Sequence, residues 1–202
     1  MLQGVLEGLR ASSPAERISV LAGIVYGLLA VRQDWRCWLF GGVSSAILAW
    51  LAAEARLPMQ ALLQLVYVAM SAYGLWHWSR QSRAAAAMPI GTWTWPVHLA
   101  IVLGIAAATA LLAPWVADAT EAAWPRLDTA TMLASLLATW MTARVRLESW
   151  LYWIVIDSVS FYLYAAQRLS FVALLYLVYL LIAAFGWFEW RSRLRRQLAP
   201  GR

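Results

Sequence analysis

Two stretches decide the fold of this chain: LLQLVYVAMSAYGLWHW at residues 62–78 and LLYLVYLLIAAFGWFEW at residues 174–190. The similarity extends without a gap over residues 37–78 and 149–190, where 16 of 42 aligned positions are identical. Every aligned pair of residues is separated by the same number of positions as residues 37 and 149, and we call this constant separation the repeat offset. Leucine and alanine matches are common between any two apolar segments, but the other identities are not. They include the pairs Trp38/Trp150, Arg56/Arg168, Tyr67/Tyr179, Gly74/Gly186 and Trp78/Trp190. We interpret the chain as an internal duplication.

The composition indicates an integral membrane protein. Of 202 residues, 63% are hydrophobic and 13% are charged, whereas a soluble domain has about 25% charged residues. A soluble globular enzyme, a disordered chain and a collagen-like chain are therefore excluded. One cysteine, Cys37, permits no internal disulfide and no cysteine-based metal site. All 16 basic residues are arginine and lie between or after apolar runs, which favours lipid headgroups over nucleic acid as the partner.

Seven segments have the length and composition of membrane-spanning helices, because a bilayer core about 30 Å thick needs about 20 apolar residues per helix. They are residues 17–33, 36–54, 58–78, 97–117, 128–143, 149–166 and 170–190. The duplication groups them into an all-α plan of three helices, one linking helix and three helices. The two units start four spans apart, so they point the same way, as in transporters whose substrate site lies near the midplane at the repeat interface.

The predicted organisation has five parts. Residues 1–15 form a polar lead-in, 16–83 the first repeat, 84–127 the linking helix with its loops, 128–190 the second repeat and 191–202 a basic tail.

Arginine counting predicts the orientation, since cytoplasmic loops are enriched in basic residues. With seven spans, one side holds eleven arginines and the other five. The first group is Arg32, Arg36, Arg80, Arg83, Arg144, Arg146, Arg191, Arg193, Arg195, Arg196 and Arg202. The second is Arg10, Arg17, Arg56, Arg126 and Arg168. We therefore expect the C-terminus in the cytoplasm and the N-terminus outside.

Asp157 is the only acid in the middle of a predicted span. A carboxylate at mid-membrane costs about 2.5–3.5 kcal/mol on insertion scales and normally faces a cavity or a partner. Helical spacing places Trp150, Trp153, Ser160 and Tyr164 on the same face. The alternative is a structural carboxyl group that is hydrogen-bonded to a neighbouring tyrosine or serine.

Two further polar stripes are candidate binding surfaces. The third span carries Gln64, Tyr67 and Ser71, and the seventh carries Tyr176 and Tyr179. Together with Asp157 they predict an aromatic box around one negative charge, which favours a flat heteroaromatic cation. Gln64 is equally consistent with a hydrogen bond between helices. At the ends of the third and seventh spans, His77 is expected at the membrane interface and Glu189 in an ion pair with a neighbouring arginine.

Enzyme chemistry has little support. Gly42-Val43-Ser44 resembles the Gly-x-Ser of an intramembrane serine protease, but the two histidines, His77 and His98, lie at helix ends, far in depth from Ser44. A membrane scaffold or receptor subunit without transport stays open as an alternative function.

Three motifs carry a resemblance to a known family. Tyr73-Gly74-Leu75-Trp76-His77-Trp78, Glu148-Ser149-Trp150-x-x-Trp153 and Gly186-x-x-x-Trp190 resemble the PnuC family of bacterial vitamin transporters over about residues 16–192. The resemblance implies a full-length relative of the SWEET-type fold in the inner membrane, without cofactor, metal or enzymatic activity. It also implies a homotrimer that moves nicotinamide riboside or thiamine by facilitated diffusion, with a cytoplasmic kinase trapping the vitamin. Substrate would bind to the polar and aromatic faces of the third, sixth and seventh spans.

The chain departs from this family at two positions. Riboside transporters typically read Glu-Asn-Trp-x-x-Trp-x-x-x-Asn in the sixth span, and here Ser149 and Asp157 replace the two asparagines. An ionised aspartate can only accept hydrogen bonds, which suits the aminopyrimidine of thiamine. Nicotinamide riboside is also a cation with an amide donor and is the commoner family substrate, so we expect the riboside, with thiamine as the alternative.

Overall fold

A computed structural model of the protein describes residues 2–84, 88–119 and 124–199. Over these ranges the chain forms eight helices: α1 Leu2–Ala11, α2 Pro14–Val31, α3 Cys37–Glu54, α4 Pro58–Ala84, α5 Trp95–Ala119, α6 Pro125–Ala143, α7 Ser149–Ala166 and α8 Ser170–Leu198. The only β-type pairing within them is an isolated bridge between Gly91 and Arg146. The predicted all-α fold is confirmed.

Each of the seven predicted spans overlaps one of the helices α2 to α8. Helix α8 continues to Leu198, so most of the predicted tail (191–202) is helical, while residues 200–202, including Arg202, lie outside the described residues. Parts of the predicted linking region, 85–87 and 120–123, also lie outside them.

Helix α1 was not predicted, because ten residues are too short to give a membrane-span signal. Its two glycines lie against the first turn of α8, Gly4 facing Ser170 and Gly8 facing Phe171. The lead-in is thus attached to the bundle through α8.

Four helices are long and apolar enough to cross a membrane by length and composition: α2, α3, α5 and α8. The other three long helices, α4, α6 and α7, are less apolar because they carry polar side chains such as Gln64, Thr139 and Asp157. Thr139 and Asp157 are buried inside the bundle. The helices that carry most of the polar groups are therefore too polar to be recognised as membrane spans from their hydropathy alone.

The turns after the helices recur at the repeat offset. Four non-glycine residues have a positive φ, namely Gln33 (59°), Arg56 (56°), Val145 (54°) and Arg168 (61°). They form the pairs 33/145 and 56/168, and each ends a helix with the hydrogen bonds of a Schellman-type cap. For example, the Gln33 amide donates to Ala30 and the Val145 amide to Thr142.

Tryptophans at equivalent positions form a buried cluster near one end of the bundle. The Trp38 and Trp78 rings meet edge to face at 5.5 Å, and the Trp150 and Trp190 rings do so at 5.3 Å. A Cβ atom at Gly74 would clash with the Trp38 ring, and one at Gly186 would lie 2.6 Å from the Trp150 ring. Each glycine therefore lets one indole ring lie directly on the backbone of the neighbouring helix.

The two halves of the chain exchange hydrogen bonds through the same tryptophans. Trp78 Nε1 donates to the Ala143 carbonyl at 2.9 Å, and Trp190 Nε1 donates to the Val31 carbonyl at 3.0 Å. Val31 and Ala143 are the last residues of α2 and α6, and they too are separated by the repeat offset. Each half thus caps a helix end of the other half.

We predict that Gly186→Ala destabilises the protein, because the new methyl group would overlap the Trp150 ring in a packed core. Overpacking of this kind costs about 1–3 kcal/mol, which will appear as a lower thermal midpoint in detergent. Gly104→Ala is the matched control, because nothing lies within 4 Å of a Cβ atom at that position. Equal midpoints for the two variants would contradict this packing.

Candidate functional site

A cavity of about 180 Å³ lies between α2, α7 and α8. Helix α2 contributes small residues and one tyrosine, α7 contributes two tryptophans and Asp157, α8 contributes Tyr179 and two apolar residues, and α6 contributes Thr142. The full lining is Gly23, Tyr26, Gly27, Ala30, Thr142, Trp150, Trp153, Asp157, Tyr179, Ile182 and Ala183. The wall is mostly aromatic and small apolar, with a few polar groups, as is typical of small-molecule sites.

Asp157 is the acidic residue of this wall. It is only 4% exposed, and among the described residues no group donates a hydrogen bond to its carboxyl and no cation pairs with it. The structural alternative, a carboxyl group held by a neighbouring tyrosine or serine, therefore has no hydrogen bond to support it. A buried carboxylate without a partner is costly, so a cation in the cavity would stabilise the ionised form of this group.

The aromatic wall beside Asp157 is held in place by α6. Trp153 Nε1 lies 3.3 Å from Thr142 Oγ1, which fixes the ring across the cavity. Trp150 is held by Gly186 and by the edge-to-face contact with Trp190. Both rings are therefore positioned by the protein before any ligand arrives.

Two glycines on α2 allow α8 to approach. A Cβ atom at Gly23 would clash with the Tyr179 hydroxyl, and one at Gly27 would lie 3.1 Å from Ile182 Cγ2. The spacing Gly23-x-x-x-Gly27 is the small-residue pattern that permits close helix packing in membranes. It brings Tyr179 to the same depth as Asp157.

Two buried polar atoms on lining residues lack partners in the described part of the chain. They are the Tyr26 hydroxyl and Trp150 Nε1. An unpaired buried polar atom costs about 1–3 kcal/mol. A ligand with hydrogen-bonding groups could recover that cost.

The structure brings four of the nine predicted site residues to the cavity wall: Trp150, Trp153, Asp157 and Tyr179. Two more lie close behind the wall. Ser160 is buried one turn from Asp157, and Tyr176 packs against Tyr179 with ring centres 6.2 Å apart. The Tyr176 hydroxyl is within electrostatic range of the Asp157 carboxyl.

The three predicted residues on α4 do not line the cavity. Tyr67 lies near Ser135 of α6, and Ser71 is buried against Gly41 and Gly42 of α3. Gln64 is partly buried outside the cavity lining. Helix α2 occupies the place that we expected for α4.

Sequence reasoning missed Tyr26, Gly23, Gly27 and Thr142. The small-residue spacing on α2 was a usable signal for close packing, and Tyr26 lies inside that motif. No comparable signal marks Thr142, which acts by holding Trp153.

The cavity is formed on one side of the duplicated structure. The counterparts of Trp153 and Asp157 are Gly41 and Ser45. A Cβ atom at Gly41 would lie 2.9 Å from the Tyr26 ring, which also meets Trp38 edge to face. Tyr26 therefore fills the space next to Gly41 on one side while it lines the cavity on the other.

The known proteins to which this chain is similar are transporters. The family model described as "Nicotinamide mononucleotide transporter" matches residues 13–192. The nicotinamide riboside transporter PnuC of Escherichia coli is 25% identical over 207 residues, covering 90% of this chain and 87% of the relative. The riboflavin/roseoflavin transporter RibM of Streptomyces davaonensis is 24% identical, covering 92% and 88%.

A solved structure has the same fold. The crystal structure of the vitamin B3 transporter PnuC matches with a TM-score of 0.73 and 22% identity, covering 96% of this chain and 88% of the other.

We predict that Tyr26→Phe raises the thermal midpoint of the ligand-free protein, since it removes a buried hydroxyl group without a partner. Tyr152→Phe is the comparison, because the Tyr152 hydroxyl lies 3.1 Å from His98 Nδ1 and its loss will lower the midpoint. Thermal denaturation of both variants in one detergent measures this. A lower midpoint for Tyr26→Phe would show that its hydroxyl has a partner.

Proposed function

The chain belongs to the nicotinamide mononucleotide transporter family, and from that premise we propose that its substrate is nicotinamide riboside. The resemblance to PnuC transporters seen in the sequence is thereby confirmed. The protein is a multi-pass inner-membrane transporter and not an enzyme.

The observation that carries the substrate proposal is the unpaired Asp157 carboxyl in an aromatic cavity. Nicotinamide riboside is a pyridinium cation. Its flat charged ring can lie against Trp150 or Trp153, where a cation–π contact contributes about 0.5–2 kcal/mol. The Asp157 carboxylate would balance the charge or accept from the carboxamide, and the Tyr26 hydroxyl would bond the carboxamide or the ribose.

We assign substrate binding to the cavity wall and the residues behind it. Asp157, Trp150, Trp153 and Tyr179 would contact the substrate, with Ser160 and Tyr176 holding the wall from outside. For Gln64, Tyr67 and Ser71 we propose a place on the route of the substrate in another conformation.

Thiamine is the weaker candidate. The relatives described above are named for nicotinamide riboside and for riboflavin, and neither name supports thiamine. The replacement of a family asparagine by Asp157 is its one supporting feature.

We further propose that all seven helices from α2 to α8 span the membrane as two parallel three-helix units joined by α5. The units are 16–83 and 128–190, with 84–127 as the linking region, 1–15 as the lead-in and 191–202 as the tail. The turns paired at the repeat offset and the reciprocal bonds of Trp78 and Trp190 support this arrangement. Alternating access would come from rocking of the two units.

The proposed orientation places the C-terminus in the cytoplasm and the N-terminus outside. The arginine excess supports it. Five arginines lie over tryptophan rings on the predicted cytoplasmic side, which fits a headgroup interface. They are Arg36, Arg80, Arg144, Arg146 and Arg191.

Transport would not be coupled to an ion gradient. Net uptake would be maintained by a cytoplasmic kinase that phosphorylates the vitamin. We also propose a homotrimer. The apolar side chains that α5 exposes, Trp95, Leu111 and Trp115, would contact lipid or neighbouring copies.

We predict that Asp157→Ala weakens the binding of nicotinamide riboside about tenfold, because it removes the acceptor group, and hydrogen bonds to charged groups contribute about 1.5–3 kcal/mol. Titration of intrinsic tryptophan fluorescence with nicotinamide riboside, and with thiamine in parallel, measures this. Asp128→Ala is the matched control, since Asp128 lies at the start of α6 outside the cavity. Equal affinities for parent and Asp157→Ala would contradict the assigned role.

We predict that proteoliposomes containing this chain alone take up nicotinamide riboside, with a rate that does not depend on a proton or sodium gradient. The cavity holds one acid and no chain of acids or histidines for a proton relay. Uptake of labelled substrate with and without each imposed gradient measures this. Absence of uptake would favour a scaffold role, and acceleration by one gradient would contradict the uncoupled mechanism.

A further inference from the structure

A second group of polar and aromatic side chains lies outside the cavity lining, at the C-terminal end of α4. Tyr73, Trp76, His77 and Arg80 follow each other at helical spacing and share one face. Arg144, from the turn after α6, joins them by donating from Nη1 to the Tyr73 hydroxyl at 3.1 Å. We call these five residues the Arg80/Arg144 cluster.

The rings of the cluster are stacked and carry the two guanidinium groups. The Tyr73 and His77 rings are parallel at 5.7 Å, and Trp76 lies 6.1 Å from Tyr73. The Arg80 guanidinium lies 4.7 Å from the centre of the Trp76 ring. Arg144 lies 6.0 Å from the Trp140 ring on the other flank.

The cluster carries positive charge without an acidic partner. The two ion pairs among the described residues are Glu189–Arg193 and His98–Glu148, so Arg80 and Arg144 take part in neither. Arg144 is also within electrostatic range of His77.

The acids on the same side of the bundle are bonded elsewhere. Asp34 accepts from the Arg36 amide, and Glu148 accepts from the Trp93 amide. Two cations on adjoining elements repel each other unless an anion lies between them. No acidic side chain of the described residues pairs with Arg80 or Arg144, so the cluster is open to an anion from outside the protein.

The duplicated half provides an internal comparison. The counterpart of His77 is Glu189, and Arg193 Nε lies 2.8 Å from its carboxylate. The same arginine also donates to the Arg32 carbonyl at 3.1 Å. Arg193 therefore has an acidic partner within the chain, whereas Arg80 and Arg144 have none among the described residues.

We propose that the Arg80/Arg144 cluster binds a phosphate group, with the headgroup of an anionic phospholipid as its ligand. Guanidinium groups bind phosphate oxygens through charge-assisted hydrogen bonds. Trp76 is 50% exposed and Trp140 is 41% exposed, so both rings are accessible to a lipid at the interface. A soluble phosphate ester has the same chemistry, and the experiment separates the two sources.

The test uses the full-length purified protein after removal of native lipid. Its thermal midpoint is followed during titration with short-chain phosphatidylglycerol, with short-chain phosphatidylcholine and with inorganic phosphate. We expect phosphatidylglycerol to raise the midpoint and phosphatidylcholine to have no effect. Arg80→Gln and Arg144→Gln should each weaken the apparent affinity for phosphatidylglycerol about fivefold, as for one arginine near an anionic surface.

Arg191→Gln is the matched control, because Arg191 lies over Trp187 with the same four-residue spacing as Arg80 over Trp76. It removes one charge from the same side, on the helix that carries Glu189. Arg80→Gln breaks no hydrogen bond within the described protein, and the cation–π contact with Trp76 that it removes is matched in the control by that of Arg191 with Trp187.

The outcomes distinguish a lipid headgroup from a soluble phosphate as the ligand. Stabilisation by phosphatidylglycerol alone identifies the lipid source, and stabilisation by inorganic phosphate as well identifies a general phosphate site. Equal responses to the two lipids would overturn the proposal. So would an Arg191→Gln loss as large as that of Arg80→Gln, because the effect would then be one of overall surface charge.

Discussion

The structure depends on two indole N–H groups that cross between its halves. In α2 and α6 the last carbonyl group has no partner within its own helix, and in an apolar environment an unpaired carbonyl is costly. Trp190 satisfies the carbonyl of Val31, and Trp78 satisfies that of Ala143. Next to each of these indoles a second ring, Trp38 or Trp150, lies against a neighbouring helix at a glycine, Gly74 or Gly186. Two symmetric bonds thus close the bundle at one end.

The same tryptophans link the fold to the cavity. Trp150 packs against Gly186 and Trp190, and it also lines the cavity beside Asp157. A change at the closed end of the bundle therefore reaches the proposed binding wall through a single ring. The sequence departs from its internal similarity at the cavity, because the counterparts of Asp157 and Trp153 are Ser45 and Gly41. Tyr26 occupies the space next to Gly41, and the cavity lies on its other side.

Much of this fold is readable from the sequence. Segment length located all seven long helices, and the gapless matches of tryptophan, glycine and arginine anticipated positions that later proved to share hydrogen bonds and backbone angles. Helical spacing fixes which residues of one helix share a face, and Asp157 and the two tryptophans of its stripe do line the same cavity. The sequence did not identify α2 as the helix that faces α7 across the cavity, because periodicity within one helix does not show which helix lies opposite. For that reason Tyr67 and Ser71 on α4 were expected in the site, while Tyr26 on α2 was not. Helix α1 was not predicted, because it is short and its attachment to α8 depends on two glycine contacts that hydropathy does not reveal.

The central claim is that one buried carboxyl in an aromatic cavity receives a cationic ring. A structure of the protein with nicotinamide riboside bound tests it most directly. The account predicts the pyridinium ring between α2, α7 and α8, within about 6 Å of the Trp150 or Trp153 ring centre and facing the Asp157 carboxyl. A ligand bound elsewhere, with Asp157 hydrogen-bonded to a protein group and the cavity unchanged, would contradict it.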